Sequence, residues 1–325
     1  MTSDKEVLVQ LKGVKKDFIT AKTLAGKPLK IVHAVDNVNL CIYKGETIGV
    51  VGESGCGKST LGRCILRLIN PTAGEVLYKG DNIIHYNKER MRQMRRKMQL
   101  IFQDPYASLN PRMTVLELIK APLDAFGIGS NEERIQKVKE IMELVGMPEN
   151  MMNRYPHEFS GGQRQRIVIA RALVLDPEFV VCDEPVSALD VSVRAQVLNL
   201  IQELKKTKDL TYLFISHDLS VVKYVSDRIA VMYLGRIVEI AEKSELYNNP
   251  QHPYTKALLS AIPIPDVDNK MKREILTGDV PSPLKPPSGC YFHTRCKYAT
   301  ERCRTECPKL HEVDEGHMVA CHLCE

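Results

Sequence analysis

The sequence predicts an α/β fold in which a largely parallel sheet is covered by helices on both faces. Short, uniformly apolar runs recur along the chain at Thr47–Val51, Phe179–Cys182 and Tyr212–Ile215. Runs without polar alternation are typical of strands that are buried on both faces. Segments with helical periodicity lie between them, and this order of elements indicates a layered α/β core.

Two of the intervening helices are visible from their spacing and their ends. In Glu132–Val145 the apolar residues recur on one face, and Ser130 with Glu133 matches a capping box. Gly146 follows as a stop signal. The segment Gln196–Leu204 has a similar apolar face.

Composition is that of a globular protein: 325 residues, 44% apolar, 26% charged, with a net charge of +5. No run of about 18 apolar residues and no secretory signal is visible, so a cytoplasmic location is expected. The basic run Lys88–Lys97 is a candidate for nucleic-acid binding, but a solvated helix face is the favoured interpretation. No nucleic-acid partner is therefore predicted.

Residues 52–59, GESGCGKS, fit the phosphate-binding pattern GxxxxGK[ST] between the strand Thr47–Val51 and a predicted helix at Ser59–Leu68. Glycines let backbone N–H groups converge on phosphate oxygens, and the helix N-terminus adds partial positive charge. Lys58 is expected to reach the β- and γ-phosphates of ATP, and Ser59 to bind Mg²⁺. The predicted nucleotide contacts of this loop are Gly52, Ser54, Gly55, Cys56, Gly57, Lys58, Ser59 and Thr60.

Two carboxylates follow the apolar run Phe179–Cys182. Strand ends are where ligands bind in open α/β sheets. Asp183 is expected to hold Mg²⁺, and Glu184 to polarise the water that attacks the γ-phosphate. Alone, the two carboxylates would indicate only an acidic pair on the surface. Together with the Lys58 loop, they indicate a nucleoside triphosphatase.

A second candidate anion site begins at Ser160, where Ser160, Gly161, Gly162 and Gln163 open a predicted helix. One chain with one phosphate loop does not need a second phosphate site. The sequence therefore predicts that this helix serves a nucleotide held by another subunit.

With these motifs in order, the chain resembles the ATPase subunits of ABC transporters. Ser160–Gln163 resembles the family signature, and Gln103 matches the glutamine that senses the γ-phosphate, contacts the membrane partner and joins the Mg²⁺ ligands. Asp190 matches the D-loop, and His217 the switch histidine. Phe18 is the candidate aromatic that stacks on adenine. The catalytic set implied is Glu184, His217 and Gln103.

The resemblance also implies an architecture. It comprises a P-loop NTPase (RecA-like) core with an antiparallel β subdomain and a helical subdomain at about 104–175, within an ATPase domain at 1–261. A Pro-rich linker is expected at 262–288 and a small cysteine-rich, metal-binding C-terminal tail at 289–325.

Three strings narrow the resemblance to the F-type ATPases of oligopeptide/dipeptide importers: residues 104–112 (DPYASLNPR), 182–191 (CDEPVSALDV) and 252–255 (HPYT). Implied partners are a related D-type ATPase in a heterodimer, two membrane permeases and an extracytoplasmic solute-binding protein. The location implied is peripheral, on the cytoplasmic face of the cell membrane. Alternatives are a nickel or other small-solute importer, a soluble ABC-type ATPase of translation or DNA repair, and a module that only holds nucleotide.

Six of the ten cysteines lie in the last 36 residues, which in a reducing compartment points to metal. Their spacing does not choose the metal. Zinc is one alternative, because Cys321 and Cys324 form a CxxC pair, and thiols without a metal are another. The string around them resembles importer tails that carry a [4Fe-4S] cluster. The resemblance implies as ligands Cys290, Cys296, Cys303 and Cys321.

Overall fold

The computed structural model describes residues 6–22, 28–262, 276 and 278–325. The chain divides into two compact units: the first combines Met1–His85 with Ile215–Glu325, and the second is Tyr86–Phe214. Most of the predicted linker, residues 263–275 and 277, lies outside the described residues.

The N-terminal part of the first unit contains a four-stranded antiparallel sheet and the strand that leads into the phosphate loop. Its elements are β1 (Val7–Lys22), β2 (Pro28–Tyr43), β3 (Thr47–Val51), α1 (Lys58–Ile65), β4 (Ala73–Tyr78) and β5 (Asp81–Asn82). The sheet has the order β2-β1-β4-β5, with Leu11 opposite Leu40 on one side and Val76 on the other. These strands confirm the expected antiparallel β-sheet.

The second unit alternates helices with strands. Its elements are α2 (Lys88–Lys97), β6 (Met98–Ile101), α3 (Pro105–Ser108), α4 (Val115–Phe126), α5 (Asn131–Leu144), α6 (Gly161–Leu173), β7 (Phe179–Asp183), α7 (Val191–Lys208) and β8 (Thr211–Ile215). The strands have the order β8-β7-β6, and β6 is parallel to β7. Helices α3, α4 and α5 pack around α6.

The C-terminal part of the first unit extends the sheet that contains β3. Its elements are α8 (Leu219–Val225), β9 (Arg228–Tyr233), β10 (Arg236–Glu242), α9 (Lys243–Asn248), α10 (Pro253–Ser260), α11 (Glu301–Thr305), β11 (His311–Asp314) and β12 (His317–Val319). The order is β11-β12-β10-β9-β3, in which β3 and β9 are parallel and the other pairs antiparallel.

The α/β prediction is confirmed, and so are the three buried strands. Strands β3, β7 and β8 contain the predicted apolar runs, and every residue in them is buried. Helix α5 has both halves of the predicted capping box between Ser130 and Glu133. Helix α7 begins at Val191, five positions before the predicted start. The prediction missed this first turn because the turn is mainly solvent-exposed and lacks the apolar face on which the prediction rested.

The basic run is a helix, as expected. In α2 the buried side chain is Met91, and Asn87 caps the first turn. The guanidinium of Arg90 lies 3.8 Å from the ring centre of Tyr86, and that of Arg92 5.3 Å from Phe126. Several of its cations therefore pack on aromatic rings of the same unit.

The cysteine-rich tail belongs to the first unit and packs into its core. Hairpin β11–β12 adds to β10, where Glu239 lies opposite Val319. Phe292 is 2% exposed, and its ring packs against those of Tyr233 and Tyr254. Apolar burial and strand pairing thus give the tail its shape. Among the described residues, no helix is both long and apolar enough to cross a membrane.

Candidate nucleotide-binding site

The phosphate loop connects β3 to α1, and its glycines are required by the backbone. Gly52 and Gly57 have φ values of +153° and +102°, and Gly55 has +78°. A Cβ atom at Gly52 would overlap the carbonyl oxygen of Met232, and one at Gly57 that of Ala34. The loop is therefore a bare-backbone turn packed closely on neighbouring strands.

Lys58 holds this loop together from inside. It is 5% exposed, and its Nζ donates to the carbonyl oxygens of Gly52 at 2.7 Å and Glu53 at 2.9 Å. The Sγ of Cys56 lies 3.8 Å from the same nitrogen, and burial raises the pKa of this thiol. A buried ammonium thus lies beside a neutral thiol and two backbone carbonyls.

The hydroxyl residues of the loop differ in exposure. Ser54 is exposed, whereas Ser59 and Thr60 are half-buried in the first turn of α1. The first helical hydrogen bond runs from Leu61 N–H to Gly57. The preceding N–H groups form the helix N-terminus on which phosphate binding depends.

His217 lies on a hydrogen-bonded turn between β8 and α8. Ser216 Oγ accepts from the N–H of Asp218 at 3.0 Å, and the Asp218 carboxylate caps α8 through Ser220 N–H. The N–H of Ser216 also donates to Val50 in the strand before the phosphate loop. Hydrogen bonds of Ser216 and Asp218 therefore hold the backbone on both sides of His217, and the His217 side chain is exposed.

In the second unit, two predicted residues are in direct contact. Asp183, 4% exposed, ends β7, and Glu184 follows it with φ of +48°. The amide of Gln103 donates to the Glu184 carboxylate, with Nε2 and Oε2 3.1 Å apart. Ser187 Oγ donates to the Glu184 carbonyl at 3.1 Å. A left-handed backbone at a non-glycine residue is unfavourable and is kept where the surroundings fix it.

The predicted signature is the N-terminus of α6. Ser160 and Gln163 form a reciprocal capping box, from Gln163 N–H to Ser160 Oγ and from Ser160 N–H to Gln163 Oε1. A Cβ atom at Gly162 would overlap Val193 Cγ1 of α7, whereas one at Gly161 would meet Leu189 Cδ2 at an ordinary 3.4 Å. The close packing of α6 on α7 therefore requires glycine at position 162 but not at position 161.

Two further predicted residues lie on other elements. Phe18 is half-buried on β1 opposite Val32, and the Lys16 ammonium lies 5.0 Å from its ring centre. Asp190 is exposed at the N-cap of α7. Their assignments to adenine stacking and to the D-loop stay predictions.

Sequence reasoning missed two residues that hold the loop from outside. The hydroxyl of Tyr254 accepts from Glu53 N–H at 3.0 Å. The two terminal nitrogens of the Arg295 guanidinium donate to the two carboxylate oxygens of Glu53, at 2.8 and 3.2 Å. Tyr254 lies within the string at 252–255, but nothing in that string indicates a contact with residue 53.

The prediction of a metal cluster in the tail is wrong. Within the described ranges, no group of three or more His, Cys, Asp or Glu side chains is arranged to hold a metal ion. The correction applies to the iron–sulfur ligands and equally to the zinc alternative, that is, to Cys290, Cys296, Cys303 and Cys321.

The environment of the thiols opposes metal binding. Burial disfavours the thiolate, the form that binds a metal, and raises the pKa of Cys290 to about 11 and that of Cys321 to about 12. Cys303 Sγ lies 3.4 Å from Thr300 Oγ1 within the first turn of its helix. Cys303 and Cys321 are buried and serve as small apolar side chains, whereas Cys290 and Cys296 are half-buried.

Two family models match the chain. One, described as ABC transporter, matches residues 35–187. The other, described as the C-terminal region of the oligopeptide/dipeptide transporter, matches residues 238–303.

Curated relatives match over nearly the whole chain. The oligopeptide transport ATP-binding protein AppF of Bacillus subtilis (strain 168) is 51% identical over 324 residues, 99% of this chain and 98% of the relative. The putative oligopeptide transport ATP-binding protein YkfD of the same strain is 57% identical over 302 residues, 92% of each chain.

A solved structure supports the same conclusion. The dimeric post-hydrolysis state of the ATP-binding cassette MJ0796, bound to ADP and Pi, matches with a TM-score of 0.65 and 31% identity, covering 73% of this chain and 99% of that one. The fold, the phosphate loop and these matches show that the chain belongs to the ABC transporter family of ATP-binding cassettes. Within it, the chain is an ATP-binding, ATP-hydrolysing subunit with the C-terminal region of the oligopeptide/dipeptide transporters.

Proposed function

We propose that this subunit hydrolyses MgATP to drive the import of di- or oligopeptides through membrane permeases. The observation that carries the proposal of MgATP hydrolysis is the glycine loop around the buried Lys58 ammonium. The proposal of peptide import is supported by the match at residues 238–303 and by relatives that are named for oligopeptide transport.

In this proposal the phosphate loop binds the nucleotide. Lys58 supplies positive charge, and backbone N–H groups at the start of α1 supply donors for phosphate oxygens. The donor set fits Mg²⁺, a hard cation that prefers oxygen ligands: the Ser59 hydroxyl, the Asp183 carboxylate and the Gln103 amide oxygen. When bound, Mg²⁺ neutralises charge on the phosphates.

Glu184 is the proposed general base. A carboxylate can accept a proton from water as the oxygen attacks the γ-phosphate, and Gln103 orients that carboxylate by its hydrogen bond. His217 is proposed to contact the γ-phosphate from its fixed turn. Phe18 is the proposed adenine-stacking residue.

The α6 N-terminus is proposed to serve the nucleotide of a partner subunit, with Asp190 at the same interface. Ser160 and Gln163 satisfy each other in the capping box, which leaves the dipole and the first N–H groups of α6 as the anion-binding part. The proposed partner is a related D-type ATPase, and dimerisation of the related MJ0796 cassette supports this arrangement.

The proposed assembly adds two permeases and an extracytoplasmic solute-binding protein, with this subunit peripheral on the cytoplasmic membrane face. The domain boundaries proposed are 1–261 for the ATPase domain, with its helical subdomain at about 104–175, then 262–288 for the linker and 289–325 for the C-terminal region.

The test is reconstitution of the subunit with the partner ATPase and permeases in proteoliposomes, with the binding protein outside. We expect ATP-dependent accumulation of labelled oligopeptide, and ATP turnover that rises when the partner ATPase is added. Nickel uptake without peptide uptake would overturn the assignment of peptides as the transported substrate. Full turnover by a strictly monomeric preparation would overturn the partner's role.

A further inference from the structure

Glu53, the second residue of the phosphate loop, is held on three sides. Its carbonyl oxygen accepts from Lys58 Nζ at 2.9 Å, and its N–H donates to the Tyr254 hydroxyl at 3.0 Å. Its carboxylate receives both arms of the Arg295 guanidinium. The first contact comes from within the loop, and the other two come from far along the chain.

The Arg295 contact is firmly anchored. The Arg295 side chain is 7% exposed, and that of Glu53 is 27% exposed. Three positions earlier, Phe292 is buried against the ring of Tyr254, the residue that accepts from the Glu53 N–H. The tail and α10 thus reach the loop as one packed group, separated from Glu53 by 242 and 201 positions in sequence.

The charge of this pair has a consequence for nucleotide binding. A carboxylate within a loop that cradles a triphosphate repels the ligand. A guanidinium that forks the carboxylate neutralises it, stays charged at every accessible pH and fixes its direction. Without Arg295, an uncompensated negative charge would remain in the phosphate loop.

We propose that Arg295 is a positioning residue for ATP binding: from the C-terminal tail it neutralises the Glu53 carboxylate in the phosphate loop and so removes the repulsion between that carboxylate and the triphosphate. The C-terminal region therefore acts directly on the nucleotide site. This inference rests on the proposed role of the Lys58 loop in holding the triphosphate.

The test is MgATP affinity of the full-length chain, measured by calorimetry without turnover, with thermal midpoints recorded for each variant. Arg295→Gln should raise the Kd about tenfold, because it exposes the Glu53 charge. Adding Glu53→Gln should return the Kd to within about threefold of wild type, since the repelling charge is then gone. Arg304→Gln is the matched control: an exposed tail arginine paired with Glu301.

The rescue separates this role from simple loss of structure, since a structural defect would remain in the double variant. Wild-type affinity in Arg295→Gln, or a double variant as weak as the single one, would overturn the inference. If Arg295→Gln does not fold, Arg295→Lys decides: it keeps the charge and should bind within about threefold of wild type, and tenfold weaker binding would overturn the electrostatic argument. Lys58→Ala distinguishes the two proposals, because normal affinity in that variant would overturn the phosphate-loop assignment itself.

Discussion

The side-chain amide of Gln103 donates a hydrogen bond to the carboxylate of Glu184, with Nε2 and Oε2 3.1 Å apart. The two residues are 81 positions apart in sequence, but each follows the end of a strand, and β6 and β7 are parallel neighbours with Ile101 opposite Cys182. The orientation of the proposed general base therefore depends on a residue from the adjacent strand.

Gln103→Ala should lower ATP turnover at saturating MgATP by about tenfold in the assembled transporter, because a general base that is less well oriented loses part of its contribution. The measurement is turnover at saturating MgATP beside a binding titration. In a Glu184→Gln background the same change should add little, since the two act as one unit. Gln136→Ala, on the surface of α5, is the control. Independent, additive losses would contradict this coupling.

Gly162→Ala should destabilise the chain by about 1–3 kcal/mol, because the added methyl group overlaps Val193 Cγ1 where α6 and α7 pack. The measurement is the free energy of unfolding in denaturant. Gly161→Ala is the matched control, since its Cβ meets Leu189 at an ordinary 3.4 Å, and it should change stability far less. Adding Val193→Ala should recover part of the loss, and equal effects at both glycines would refute the packing argument.

Glu239→Ala should destabilise the C-terminal part of the first unit by about 3 kcal/mol. Glu239 is fully buried and accepts from Gln251 N–H, His252 N–H and His317 Nε2, at 2.7, 3.0 and 2.7 Å. Its removal leaves these groups without their acceptor and loosens the β12 hairpin. Hydrogen exchange along the hairpin, together with the free energy of unfolding, measures the effect.

The control for that experiment is Glu242→Ala, at the exposed end of the same strand. It should change stability by less than about 0.5 kcal/mol. A loss at Glu239 no larger than the loss at Glu242 would show that the buried cluster contributes nothing to the hairpin.

Local features of the fold could be predicted from the sequence. The apolar run of β3, the capping box of α5 and the glycine pattern around Lys58 depend on neighbouring residues, so each was visible in a short window. The start of α7 was missed because its first turn has little apolar periodicity.

Contacts between distant residues could not be predicted. The Gln103–Glu184 bond depends on which strands are neighbours, and the Arg295–Glu53 pair depends on how the tail folds back. The metal prediction failed for a related reason: the number and spacing of cysteines do not determine whether the folded tail brings their thiols together, and among the described residues no group of three or more ligands is arranged to hold a metal ion.

The central claim is that the chain hydrolyses ATP with Glu184 as general base. The most direct measurement compares ATP turnover and MgATP affinity for Glu184→Gln and wild type in the assembled transporter. The control is Glu203→Gln, which alters an exposed carboxylate on α7. We predict that turnover falls at least about a hundredfold in Glu184→Gln while the Kd stays within about threefold of wild type. Turnover near the wild-type rate would contradict the account.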